Sequence, residues 1–143
     1  VGGSDTQGRI MKANFLNQIP ALDILMKRVK GVASKRGWIK GIDGRRLPVR
    51  SEHSSLNLLL QSTGAILMKK ATVLLMEYID KEELDAKLVL HVHDEVQLEA
   101  KAEHAERVGQ LAVKAMRHAG LHFRMECPID GEFKIGNTWA ETH

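Results

Sequence analysis

The sequence predicts an α+β fold in which antiparallel β-hairpins pack on long α-helices. Three observations carry this. Apolar residues recur at helical spacing over 9–32 and 102–119, a long apolar helix is written over 53–79, and residues 86–100 alternate apolar and polar almost throughout. The 143 residues suit one compact piece, and 43 % hydrophobic with 27 % charged residues is a globular composition. Aromatics are 4 %, so aliphatic side chains must fill the core. A balance of 21 Lys and Arg against 18 Asp and Glu, net +3, permits a polyanionic partner without demanding one. The single cysteine, Cys127, excludes an internal disulfide framework or a multi-cysteine zinc site and fits a reducing cytoplasm. The opening VGGSDTQGR lacks the apolar stretch of a signal peptide. The longest uncharged run, 53–68, contains His53, Asn57, Gln61 and Thr63 and is shorter than the ~18 apolar residues a membrane helix needs, so no membrane partner is expected.

The elements follow in order. Ile10, Phe15, Leu16, Ile19, Leu22, Leu25, Met26 and Val29 mark helical spacing, and Pro20 breaks it into pieces near 6–18 and 20–32 because it has no amide hydrogen. Gly37–Ile42 is β-like, Asp43-Gly44 is a turn signal, and Arg46–Arg50 returns as a second strand. Lys40, Arg45, Arg46 and Arg50 make this small hairpin basic. Ser51 or Ser54 is placed to cap the helix over 53–79. Leucines cover most of that helix's circumference, which predicts burial on several sides. One stripe differs: His53, Asn57 and Gln61 recur every fourth residue, followed by Gly64 and Ala65, so uncharged donors line one helix face.

In 86–100 the even positions are apolar except Asp94, and the odd positions are polar except Val89. Fifteen residues is too long for one strand, so a hairpin turning at His93-Asp94-Glu95 is predicted. A three-residue loop would pair Val92 with Val96, Leu90 with Leu98 and His91 with Gln97, keeping one face wholly apolar. Asp94 then stands at the tip, in a turn without glycine and therefore under backbone strain. A helix over 102–119 ends with Gly120 as its C-cap, and Leu121–Met125 and Gly131–Ile135 read as strand-like.

Each candidate has a structural alternative. Aspartate at a hairpin tip serves turn chemistry. Asn57 and Gln61 could satisfy buried backbone groups, and the arginines could be a solvated face. His91 reads as structural, His104, His118 and His122 as surface residues, Cys127 as inert, and Trp38 and Trp139 as packing anchors.

The segment His91-Val92-His93-Asp94-Glu95-Val96-Gln97 resembles motif C of family A DNA polymerases, whose mark is His-Asp-Glu at the tip of a palm hairpin. The flanks extend the likeness. Gly41-Ile42-Asp43-Gly44-Arg45-Arg46 is similar to the family's basic hairpin. His53 through Gly64, with Asn57 and Gln61, resembles the palm helix whose amides meet the DNA minor groove. Asn137-Thr138-Trp139 with His143 resembles the C-terminus of phage replicative polymerases. Order and spacing agree over essentially the whole chain.

The resemblance implies roles. Asp94 would bind metal for two Mg²⁺ ions, Glu95 would be an auxiliary acid, and His93 would support the primer terminus. Asn57 and Gln61 would bond minor-groove atoms, where every correct pair presents acceptors. His53 belongs to the same stripe. Arg45, Arg46 and Arg50 would hold phosphates. His143 would bring the terminal carboxylate near the site. Primer-template DNA and dNTP are the implied partners, in a bacterial or phage-infected cytoplasm. The resemblance assigns residues 1–36 to the end of the fingers and the return to the palm, and 37–143 to the C-terminal half of the palm. It finds no match for the first palm aspartate (motif A) or the nucleotide-binding fingers helix (motif B); Val1-Gly2-Gly3 aligns just after the latter. The chain is therefore expected to be inactive alone, to need an upstream polymerase segment, and to expose apolar surface that favours a homo-oligomer. Two other readings stay open: a stand-alone DNA-binding module or split-gene subunit without its own chemistry, and a small hydrolase using His91, His93 and Asp94. Strand alternation opposes the hydrolase by placing His91 and Asp94 on opposite faces.

Overall fold

The computed structural model describes residues 4–142. The described residues form an α+β arrangement of four α-helices, two short 3-10 turns and two separate two-stranded antiparallel sheets. Packing divides the chain into two compact units, 1–60 and 61–143.

The first unit opens with α1 (Asp5–Gln18) and α2 (Pro20–Arg36). Ser4 and Gln7 form a reciprocal capping box at the start of α1. Pro20 is the first residue of α2, where its missing amide hydrogen costs nothing, so the break expected there is present. The second helix runs to Arg36, beyond the expected end at 32, and stops at Gly37, whose φ of 71° suits a left-handed cap. Strands β1 (Trp38–Lys40) and β2 (Arg46–Pro48) pair in the register Trp38↔Pro48, Ile39↔Leu47 and Lys40↔Arg46. Their loop closes through Gly41 N–H to Arg45 O, with Gly44 at φ 88°. Val29, Ala33 and Ile39 form the core of this unit, against Leu47, Val49, Leu58 and Leu59.

A 3-10 turn (Glu52–Ser54) leads into α3 (Ser55–Lys81). Neither expected serine caps a helix amide with its hydroxyl. Instead Ser54 Oγ donates to Ser51 O and Ser55 Oγ to Glu52 O. His53 consequently lies on the 3-10 turn rather than on the α-helix with Asn57 and Gln61. Burial around the helix is also narrower than expected. Ile66, Leu67, Met68, Ala71, Leu75 and Ile79 are buried, whereas Leu60 and Val73 are exposed.

In the second unit, Leu75 and Ile79 of α3 meet Val108, Leu111 and Ala115 of α4 (Ala102–His122). Val96, Leu98 and Ala100 of β4 (Glu95–Ala100) pack onto this cluster. Burying each of these large aliphatic chains contributes about 1.5–3 kcal/mol. Glu52–Lys81 is long and apolar enough to cross a bilayer by length and composition alone. Its buried face, however, is shared with α4, as in the core helix of a globular unit.

The C-terminal expectations need correction. Gly120 is inside α4 and buried, and the helix runs to His122. Its end is a Schellman arrangement: Met125 N–H bonds to Gly120 O, Arg124 N–H to Leu121 O, and Arg124 takes the left-handed position at φ 54°. Residues 121–125 are therefore helix end, not strand, and 131–135 forms no ladder. This segment instead lays Ile129 and Phe133 over Gly120 and Gly109 of α4. Glycine serves there because a Cβ would collide with those side chains.

Candidate functional site

The long hairpin positions the chemistry-bearing triplet. Strand β3 (Ala86–Val92) pairs with β4, and the turn is two residues, His93-Asp94. The register is Val92↔Glu95, His91↔Val96 and Leu90↔Gln97, then Leu88↔Leu98, Lys87↔Glu99 and Ala86↔Ala100. This corrects the expected three-residue loop. The two-residue turn mixes faces near the tip, and a bulge at Val89 restores the apolar pairing below it. The sequence alternation assumed an unbroken β3; one extra residue reverses its phase. Leu90 and Val92 turn outward and are 45 % and 47 % exposed, while His91 takes the face of Leu88.

His93 carries the strain expected at the tip, with φ 52° on a side chain that disfavours it. Asp94 follows and is exposed. Glu95 Oε1 accepts from Gln97 Nε2 at 2.6 Å, which fixes that carboxylate along the outward face. Carboxylate oxygens of Asp94 and Glu95 are the hard donors that Mg²⁺ prefers, and Mg²⁺ sites use one or two protein carboxylates alongside phosphates and water. The donor set therefore fits part of such a site. Among the described residues no cluster of three His, Cys, Asp or Glu is placed to hold an ion.

Three histidines have partners that sequence reading missed. His91 Nδ1 lies 3.5 Å from Thr72 Oγ1 on α3. His104 Nδ1 accepts from the Asp85 amide at 3.0 Å. His118 Nδ1 is 2.6 Å from the Tyr78 hydroxyl, the rings meeting edge to face. His104 and His118 thus tie α4 to α3 and its following loop rather than standing free on the surface. Spacing within one element cannot reveal partners 19 to 40 residues away.

The other candidates divide between the units. Arg45, Arg46, Arg50, His53 and Asn57 lie in the first; Gln61 opens the second, one turn beyond Asn57 along α3. Arg45 is engaged by Asp43: its amide and Nε–H bond the two carboxylate oxygens at 3.1 and 2.6 Å. Partial desolvation pushes the Asp43 carboxyl up, but the Arg45 amide and guanidinium outweigh it and hold the group below its usual range. Arg46 stacks over Trp38, its Cζ 4.7 Å from the ring centroid, with Arg36 at 5.6 Å. Trp38 is thus a platform for guanidinium groups, not only a packing anchor. Arg46 also opposes Lys40 in the register, a like-charged pair. Arg50, His53, Asn57 and Gln61 are exposed. His143 lies outside the described residues, as do Val1, Gly2 and Gly3.

Charge is unevenly spread. Residues 1–60 hold eleven Lys and Arg against four Asp and Glu, whereas 61–143 hold ten against fourteen. Residues 1–141 match the profile of DNA polymerase family A. The chain belongs to that family. It is 33 % identical over 150 residues to the DNA-directed DNA polymerase of Escherichia phage Phieco32, covering all of this chain and 24 % of that protein. It is 35 % identical over 164 residues to the DNA-directed DNA polymerase of Escherichia phage T7, covering all of this chain and 23 % of that protein. It is 32 % identical over 137 residues to DNA polymerase I of Aquifex aeolicus, covering 94 % of this chain and 24 % of that protein. The family A chain thus spans about a quarter of the length of these relatives. The POL domain of Pol1 from M. smegmatis, solved with DNA primer-template and dNTP, shares the fold at TM-score 0.75 and 20 % identity, covering 93 % of this chain and 24 % of that one.

Proposed function

We propose that this chain is a portion of a template-directed DNA polymerase acting on primer-template DNA and dNTP in a bacterial or phage-infected cytoplasm. Residues 1–36 form the end of the fingers and the return to the palm, and 37–143 the C-terminal half of the palm. The observation that carries the reading is family membership over residues 1–141, joined to a strained two-residue turn that holds Asp94 at a hairpin tip.

Asp94 is the metal-binding carboxylate, Glu95 an auxiliary acid and His93 a support for the primer terminus. Mg²⁺ in the complete enzyme would supply Lewis-acid activation of the primer 3′-hydroxyl and charge neutralisation at the leaving pyrophosphate. Asn57 and Gln61, exposed on α3, donate to minor-groove acceptors. His53 borders them on the preceding 3-10 turn. Arg46 and Arg50 hold backbone phosphates, and Arg45 joins them by exchanging Asp43 for phosphate.

The chain alone is inactive in this reading. In this reading an upstream polypeptide supplies the second carboxylate and the dNTP-binding helix. Exposed Ile10, Met11, Phe15, Ile19, Ile24 and Leu25 favour association with that polypeptide or, in its absence, with a second copy.

Primer extension tests this. The chain alone should extend no primer with Mg²⁺ or Mn²⁺. Addition of an upstream polypeptide from a family A relative should restore extension, and Asp94→Asn should abolish it. Extension by the chain alone that Asp94→Asn removes would overturn the incomplete-site reading. Duplex binding indifferent to Asp94→Asn, with no rescue by any upstream polypeptide, would favour the DNA-binding module, which the positive charge of residues 1–60 also suits.

A further inference from the structure

Near the hairpin tip, the register Val92↔Glu95 and Leu90↔Gln97 gathers side chains of opposite character on the outward face. Directly opposed residues share a face, so two aliphatic chains on β3 stand against an acid and an amide on β4. Glu95 and Gln97 are neighbours on that face, with Gln97 one pleat nearer the base of the hairpin. Gln97 Nε2 donates to Glu95 Oε1 at 2.6 Å, a short bond of the charge-assisted kind. Gln97 is half-buried, whereas Glu95 is exposed. The donor is thus the better anchored of the two, and Leu90 and Val92 opposite set no polar side chain against the bond.

The residue type at 97 matters. A lysine or arginine there would also hold Glu95, but its charge would cancel that of the carboxylate beside Asp94. An amide donates without a charge, so it fixes the acid and leaves its negative charge whole. The base of the same ladder shows the contrast, where Lys87 opposes Glu99 and a cation faces an acid. Neutral fixation suits an acid whose charge is directed at something outside the chain, because a supporting partner sets its orientation without competing for it.

We propose that Gln97 is a positioning residue for Glu95, holding its carboxylate in the orientation from which it serves as the auxiliary acid beside Asp94. This rests on the polymerase reading of the hairpin. Gln97 acts through Glu95 alone. Without its amide the acid moves among rotamers, and nucleotidyl transfer slows while the hold on dNTP does not weaken.

Two measurements test this. The first uses the full chain alone, without metal or DNA, and leaves Gln97 itself unaltered. In proton–nitrogen NMR, Glu95→Leu should move the Gln97 side-chain amide upfield, and Glu99→Leu should not. A Gln97 amide unmoved by Glu95→Leu would overturn the proposal. The second is primer extension by the chain complemented with an upstream polypeptide from a family A relative. Gln97→Met, of similar length but without a donor, should lower kcat about tenfold at an unchanged KM for dNTP. The exchange Glu95→Gln with Gln97→Glu keeps the bond and the net charge but sets the carboxylate one pleat back, so kcat should stay low. Recovery in the exchange variant would mark a bond that merely braces the hairpin and would overturn the proposal. Full activity of Gln97→Met, beside an active unaltered chain, would overturn this inference alone. No extension by the unaltered complemented chain would overturn the polymerase reading and this inference with it.

Discussion

Thr72 and His91 meet across 3.5 Å, from Oγ1 to Nδ1, because a bulge at Val89 turns His91 toward α3. The Thr72 hydroxyl donates to Met68 O at 2.9 Å, which leaves its oxygen lone pairs to accept from His91 in the tautomer that carries its proton on Nδ1. In an unbroken strand His91 would face away from Leu88; the extra residue places both on one side. The bulge thus ties the hairpin that bears Asp94 to the helix behind it.

Deleting Val89 should therefore be tolerated. The deletion leaves Leu88 facing Leu98 and His91 facing Val96 while removing only the unpaired residue. Urea unfolding should show a change within about 1 kcal/mol, and amide exchange should retain both halves of the ladder. Deleting Leu88 instead removes a cross-strand partner of Leu98 and should cost about 2 kcal/mol or more.

His93→Gly should raise stability and lower function. A side chain at φ 52° costs about 1 kcal/mol that glycine does not incur, partly offset by the freer unfolded chain. The unfolding midpoint should rise slightly. If the proposed function holds, primer extension by the chain complemented with an upstream family A polypeptide should fall, because the imidazole and the fixed turn are both lost.

Glycine substitutions in the two long helices should have opposite signs. A Cβ on Gly64 meets nothing within 4 Å, so Gly64→Ala should stabilise by about 0.5–1 kcal/mol. A Cβ on Gly109 would lie 2.2 Å from the Phe133 ring, and one on Gly120 would lie 2.8 Å from Ile129. Gly109→Ala and Gly120→Ala should cost about 1–3 kcal/mol and loosen residues 126–138 to proteolysis.

Acid should weaken the attachment of that same segment. Arg117 holds Asp130 through two bonds of 2.9 and 3.0 Å, and its guanidinium, helped by the Gly131 amide, keeps the carboxyl below its ordinary range. A carboxyl lowered in the folded state gives stability that is complete above its unfolded-state value and lost as pH falls through the folded one. NMR titration should place the Asp130 midpoint below that of an ordinary aspartate, and Arg117→Ala should return it upward. The effect on stability is small, because both side chains are more than half exposed.

Much of this architecture is legible in the residues. Pro20 separates two helices, Asp43-Gly44 turns the small hairpin, and the alternation around Asp94 announces the large one. What could not be read is what one unpaired residue does. The alternation from Leu88 to Leu98, with Val89 and Asp94 its two exceptions, predicts a single phase, and the bulge at Val89 breaks it locally. Gly120 looks like a cap because glycine usually ends helices, yet here Arg124 takes the left-handed position and Gly120 makes room for Ile129. The strand-like pieces after 120 failed for the same reason: their apolar residues cover α4 rather than pair with one another. Asp94 could be placed at the tip from sequence. The engagement of Arg45 by Asp43 and of Arg46 by Trp38 depends on side-chain placement that spacing alone does not specify.

The stacking of Arg46 on Trp38 makes the indole a built-in optical reporter. Any phosphate that draws the guanidinium away changes the field across the ring and therefore its emission. The chain contains one other tryptophan, Trp139, so a Trp139→Phe variant would leave Trp38 as the sole indole signal, able to test the proposed engagement of nucleic acid at the small hairpin without an attached dye.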